Sequence, residues 1–260
     1  MIDPGHSPGF ELGANYALQQ SSYNVSVNWM HIGTSDSSSK QASENTDITT
    51  VEFVAPPYDV GPSVFGIKRA DSTVTTNFNQ ISMDFGKLID CGNQITVRIF
   101  TGISMLNISQ NLKTTFSDYA GSPIVPGQAY ALPADPRYYF TTKNTSDYLG
   151  FGPNIGVNLQ YQNANGLGIV GQFSGSLTAG SISANDAFTS ASARLFALGI
   201  DPSKQSITAP NSTQLVPGFD SKLGLFYGHT WRDIALTIEG GYRFAYFVNA
   251  IETISPDTLV

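Results

Sequence analysis

The sequence predicts an all-β fold, an antiparallel up-and-down transmembrane β-barrel, on three observations. Apolar and polar residues alternate with period two over segments longer than ordinary strands, short turns alternate with long polar connections, and charge is scarce. Charged residues make up 13% of the 260-residue chain, about half the roughly 25% usual in soluble domains. Aromatics reach 12%, alongside 25 glycines. This composition disfavours disorder, which needs low hydrophobicity and high charge. It suits a wall that is apolar on one side and polar but mostly uncharged on the other. A chain of this length can form one barrel, so residues 1–260 are read as a single domain.

The strands follow in order. Phe10, Leu12, Ala14, Tyr16 and Leu18 share one face, opposite Glu11, Gly13, Asn15 and Gln19. After Gln20–Ser22 the pattern resumes with Tyr23, Val25, Val27 and Trp29 opposite Asn24, Ser26 and Asn28. Ile81, Met83 and Phe85 lead to a turn at Asp90–Asn93, and Ile95, Val97, Ile99, Ile103 and Met105 continue beyond it. Leu149, Phe151, Ile155, Val157, Leu159 and Tyr161 lead to Asn163–Gly166, where Asn-Gly is a strong hairpin signal. The return strand carries Leu167, Ile169, Phe173 and Leu177. The last hairpin sets Leu223, Leu225 and Tyr227 before a turn near His229–Asp233. Ile234, Leu236, Ile238, Tyr242, Phe244, Tyr246 and Val248 follow it.

About eight strands in four hairpins result. Long polar loops are expected at 34–72, 117–143 and 180–215, with a short helix within Ala187–Gly199. Short turns at one end and long loops at the other are the pattern of an outer-membrane barrel. A tilted membrane strand needs about 9–11 residues. Tyr16, Tyr23, Trp29, Tyr161, Tyr227, Trp231 and Tyr246 lie toward the ends of apolar stripes, where interface aromatics sit.

Charge within the membrane zone is expected to face the lumen, because Arg or Lys on the lipid face costs about 2–4 kcal/mol at the midplane. Asp84 and Arg98 stand nearly equidistant from the turn near Cys91 and are expected to be cross-strand neighbours. Lys222, Glu239 and Arg243 share the polar face of the last hairpin, with Asp220 close by. These six residues are read as a lumen charge network, not a catalytic set.

Other function classes find little support. A net charge of -7 gives no electrostatic footprint for nucleic acid. No apolar run reaches the 18 or so residues of a transmembrane helix. One cysteine, Cys91, allows no internal disulfide, leaving a plain turn residue or an intermolecular cross-link. Gly166-Leu167-Gly168-Ile169-Val170-Gly171, with Asp186 downstream, matches a dinucleotide fingerprint, but that motif needs a strand before it and a helix after it. Here an Asn-Gly turn precedes and a strand follows. His6, His31 and His229 have no ligand-like spacing with Cys91. No Gly-x-Ser-x-Gly elbow is present. The expectation is no enzyme activity, no metal and no cofactor.

Several segments carry a family likeness. Pro8–Tyr16 followed by Tyr23–His31, Asn79–Lys87 with the Ile95–Gly102 strand, Gly168–Leu177, and Gly240–Arg243 resemble the Legionella-type major outer membrane protein family. The likeness covers nearly the whole chain and implies a pore-forming outer-membrane barrel without a cofactor. By comparison with that family, a signal peptide and opening strand are missing before Met1. The end at Thr258-Leu259-Val260 also differs from an aromatic-terminated closing strand. Restoring one strand at each end would give an intact barrel of about ten strands, an even number.

The leading expectation is therefore an outer-membrane barrel giving passive passage to small hydrophilic solutes or ions. A second is a non-conducting structural barrel or adhesin acting through its long extracellular loops, and a third is a soluble β-sandwich binding module. The partners implied are outer-membrane lipid, the barrel-assembly machinery, a second copy of the chain in a homo-oligomer, and host or surface ligands at the loops.

Overall fold

The computed structural model describes residues 7–41, 67–119, 135–192, 203–231 and 234–252. It contains β1 (Gly9–Ala17), β2 (Tyr23–Gln41), β3 (Ile67–Asp90), β4 (Ile95–Tyr119), β5 (Asp135–Gln162), β6 (Leu167–Ala191), β7 (Ser203–Thr208), β8 (Ser212–Trp231) and β9 (Ile234–Phe247). All belong to one antiparallel sheet in the order β1-β2-β3-β4-β5-β6-β8-β9, with β7 paired to the far part of β6. Among the described residues the ladder does not run on from β9 to β1. The sheet nevertheless curls on itself. Phe78 on β3 meets Phe247 on β9 with ring centroids 5.3 Å apart, and Lys222 on β8 reaches Glu11 on β1.

Short turns close the hairpins at one end. Asn163 accepts backbone N–H bonds from Asn165 and Leu167 through its side-chain oxygen, and Gly166 takes φ 85. At the β3–β4 hairpin Gly92, Asn93 and Gln94 take φ values of 72, 50 and 68. These left-handed residues make a tight four-residue reversal between Asp90 and Ile95.

The strands are far longer than a membrane requires: β5 alone has 28 residues, against about 9–11 for a tilted crossing. Their outer faces divide sharply. Toward the short turns the outer face is apolar and exposed, as at Ile99, Ile103 and Met105 on β4 and Phe151, Ile155 and Leu159 on β5. Beyond Met105 and Leu149 it becomes Asn107, Ser109, Asn111, Lys113 and Thr115 on β4, and Asp147, Thr145, Lys143 and Thr141 on β5.

The inner face follows a different sequence. On the turn side it is mostly polar, with Asn24, Ser26, Asp84, Ser104, Asn154 and Asp220 buried alongside Phe100, Val170 and Phe226. Next comes an apolar layer of Met30, Phe78, Leu106, Ile108, Tyr148, Ile182, Val216 and Ala250. Farther out Phe116 and Phe140 form a second cluster, with Ala70, Tyr138 and Phe188 against it.

Three expectations need correction. The described residues form nine strands where about eight are expected, because β7 adds a strand beside β6. The supposed loops at 34–72, 117–143 and 180–215 are in large part strand: 34–41, 67–72, 117–119, 135–143, 180–191, 203–208 and 212–215. Residues 42–66, 120–134 and 193–202 lie outside the described residues. The helix expected within Ala187–Gly199 is strand as far as Ala191, and 193–199 lies outside the described residues. Ser, Thr and Asn on an outer wall facing water offer no hydrophobic contrast, so the alternation continues without the signal that reveals it.

Candidate functional site

The six residues expected to share an interior all lie on the inner face. Arg98 projects from β4 across β3 to β2, where its guanidinium donates from Nε to Asn24 Oδ1 at 2.9 Å and from an amino group to Ser26 Oγ at 2.8 Å. Its path requires Gly86 on the intervening strand: a Cβ there would stand 2.5 Å from Arg98 Nε. The guanidinium carbon also sits 4.9 Å from the centre of the Phe100 ring, within the range of a cation–π contact.

Asp84 accepts a 2.7 Å hydrogen bond from Asn154 Nδ2. It is not the cross-strand neighbour of Arg98. Asp84 faces Gly102, and Arg98 faces Leu88. The reversal is centred two residues later than Cys91, because the turn spans Cys91–Gln94 with three left-handed residues.

The second group is more tightly knit. Arg243 on β9 donates to Asp220 Oδ2 at 2.7 Å and to Glu11 Oε2 at 3.0 Å. Lys222 lies opposite Arg243 in the ladder and reaches Glu239 at 3.1 Å and Glu11 at 3.3 Å. Glu11 thus joins β1 to both β8 and β9 through side chains, where the backbone ladder does not. Its long sequence separation from Lys222 and Arg243 hides this role from pattern reading. The one available signal is its place as the sole charge on the polar face of the first strand. Asn24, Ser26 and Asn154 were likewise legible as inward positions but not as specific partners.

Counted together, Glu11, Asp84, Asp220 and Glu239 supply four negative charges against three positive ones on Arg98, Lys222 and Arg243. The charges occupy one level of the interior, so each cation has carboxylate or amide oxygens close by. Such pairing is what makes buried charge tolerable. A cavity of about 30 Å³ remains between them, lined by Glu11, Asp84, Arg98, Asn154, Gln172 and Arg243. That is room for roughly one or two waters.

The apolar layer lies beyond this level. After β9 the chain turns at Asn249, with φ 58, and runs inward. Ala250 is buried in the layer, and the Glu252 N–H donates to Ser146 Oγ on β5 at 3.0 Å. Residues 249–252 therefore turn into the interior and help to fill it. Sequence reading missed this layer. Its signal was present as Phe78, Leu106, Ile108, Tyr148, Ile182 and Val216, apolar residues at the parity otherwise used for polar ones.

The seven aromatics expected at the interfaces all project from the outer face and are exposed. Tyr16, Tyr23, Tyr161, Tyr227 and Trp231 stand beside the short turns, while Trp29 and Tyr246 lie toward the other end of their stripes. Tyr23 stacks on Phe85 at 5.2 Å, and Phe10 meets Trp29 edge-on at 5.1 Å. Cys91 is exposed in its turn.

Among known proteins, the profile of the family described as Legionella pneumophila major outer membrane protein precursor matches residues 1–260. No curated protein matches the chain.

Proposed function

The chain belongs to the Legionella major outer membrane protein family, a family of the outer membrane and not of enzymes, and on that premise we propose that it passes small hydrophilic solutes or ions through its charged interior. The observation that carries this reading is the inversion of the turn-side half. Apolar side chains face outward there, and seven charged groups meet inside at one level. An interior meant only to be filled could use apolar residues at lower cost, since buried ion pairs are often no more stabilising than hydrophobic replacements. Charged rings are the means by which pores select ions. Conduction requires the apolar layer around Leu106, Tyr148, Ile182 and Val216 to part, so this layer is the gate.

The small residual cavity favours a second reading, a closed structural barrel whose distal end does the work. Barrels of about eight strands are commonly filled by their own side chains. Single-channel recording across planar bilayers separates the two. Under the pore reading the protein gives discrete current steps, Arg98→Glu shifts their selectivity toward cations, and Leu106→Ser raises the open fraction. A correctly folded protein that stays silent even as Leu106→Ser refutes conduction and leaves the structural reading.

A further inference from the structure

We propose that the outer wall of the distal half carries a binding site for the anionic sugars of an outer-leaflet glycolipid, centred on Lys113 and Lys143. It rests on the outer-membrane location and not on conduction.

Lys113 on β4 and Lys143 on β5 are direct partners in the antiparallel ladder, and both project from the outer face into solvent. Directly opposed side chains have Cβ atoms about 4.5–5.5 Å apart, and like charges so placed are destabilising. The chain carries this repulsion although its net charge is -7 and its Lys and Arg total only 13. A third cation, Lys204, extends the patch: it faces Thr189 on β6, which faces Thr141 beside Lys143. Among the described residues none of the three lysines has an ion pair. The nearest carboxylates on this face do not neutralise them. Asp71 is held by Arg69 at 2.7 Å, and Asp147 lies four residues along β5 from Lys143.

The position identifies the ligand. The apolar outer stripe ends at Met105 and Leu149, eight residues before Lys113 and six after Lys143. At about 3.3 Å per residue and a tilt near 40°, the lysines stand roughly 15–20 Å beyond the hydrocarbon edge. A phospholipid headgroup layer reaches only about 5–8 Å beyond that edge. The lysines therefore clear phospholipid heads and meet the saccharide of a glycolipid anchored beside the wall. They lie at the end opposite the short turns, which is the external side of such barrels. Beside them Thr73 is exposed on the same face and offers a hydroxyl of the kind that hydrogen-bonds sugars. Ammonium groups on two directly opposed residues can clamp one carboxylate or phosphate on that saccharide, converting mutual repulsion into shared attraction.

The test uses full-length protein refolded in detergent, with purified lipopolysaccharide as the probe. Binding should weaken at least tenfold in Lys113→Gln and Lys143→Gln and should fall with rising salt. Lys87→Gln, on the outer wall beside the short turns, should bind as the parent does. Stability gives a second readout with a sign reversal. Without glycolipid each distal Gln variant should unfold at slightly higher temperature than the parent, because repulsion is relieved. With saturating glycolipid the order should invert. Unchanged affinity, equal loss in Lys87→Gln, or equally tight binding of phosphatidylglycerol micelles or millimolar inorganic phosphate would overturn the proposal. None of these outcomes bears on current through the interior.

Discussion

Two stretches of β5 show how the outer face of one strand can change character while its parity holds. Between Leu149 and Tyr161 the odd-numbered residues are apolar and exposed, while Asn154 is buried on the even-numbered face. Between Thr141 and Asp147 the odd-numbered residues are Thr, Lys, Thr and Asp, while the even-numbered face holds buried Thr142, Asn144 and Ser146 between the buried rings of Phe140 and Tyr148. The pleat never changes parity, and no bulge separates the two stretches in the β4–β5 ladder. What changes is the medium outside the wall. Hydrocarbon on the turn side rewards apolar outward residues; water on the distal side accepts Thr, Lys and Asp outward, over an inner face where aromatic clusters alternate with buried polar residues. The sheet thus carries an apolar outer wall on the turn side and, on the same strands, a polar outer wall beyond it.

That comparison can be broken by substitution, and the largest effects are expected at the two interiors. Arg243→Ala leaves Asp220, whose side chain is 6% exposed, without its ion-pair partner. It should cost about 3–5 kcal/mol, as removal of one member of a buried pair does. Phe140→Ala should cost a similar amount, about 3–5 kcal/mol, as loss of a buried aromatic in a water-surrounded core. Phe151→Ala, on the exposed apolar face, should cost much less than either. Urea unfolding in micelles reads all three, and equal losses for Phe140→Ala and Phe151→Ala would abolish the distinction between halves.

The outer walls give the next contrast. Ile103→Arg should cost about 2–4 kcal/mol in a bilayer, whereas Thr115→Arg, on the same strand and face, should change stability by no more than about 0.5 kcal/mol. Vesicle refolding yields measure the difference. In the apolar layer the Tyr148 hydroxyl lies 2.9 Å from Thr178 Oγ and 3.1 Å from the Thr178 carbonyl oxygen. Tyr148→Phe should cost about 1–3 kcal/mol, for buried groups left partly unsatisfied.

The smallest effect belongs to the exposed distal pair. Arg69 donates hydrogen bonds that hold the Asp71 carboxyl below its usual range. A depressed carboxylate contributes stability above its unfolded pKa and loses it as pH falls through the lower folded value. Asp71→Asn should therefore flatten a slight acid-side slope in a titration of melting temperature, with little change at neutral pH.

The turn-side half was legible because its outward stripe of Ile, Leu, Phe and Tyr contrasts with Asn, Ser and Gly inside. The distal half was not, because Thr73, Thr75, Asn77 and Asn79 outside β3 alternate with Ser72, Val74 and Thr76 inside. Thr is at home in strands, yet such a stretch has no apolar period and reads as loop. In the candidate site, parity placed each of the six charges on the inner face, but parity does not choose partners. Asp84 and Arg98 were mispaired because Asn93 and Gln94 adopt left-handed conformations that moved the centre of the turn. Glu11 was overlooked as a bridge because its partners come from the opposite end of the chain, brought near only by the curl of the sheet.

The continuous parity through both halves has a consequence for assembly errors. A strand that slips by one residue against its neighbour turns every side chain to the other face. On β4 such a slip would drive Arg98 into hydrocarbon and, in the same movement, turn Phe116 out into water. A wholly membrane-embedded strand is proofread by lipid alone, and a soluble one by water alone. Here the two solvents inspect opposite ends of one rigid ribbon, so a misregistered hairpin is rejected twice before the wall is complete.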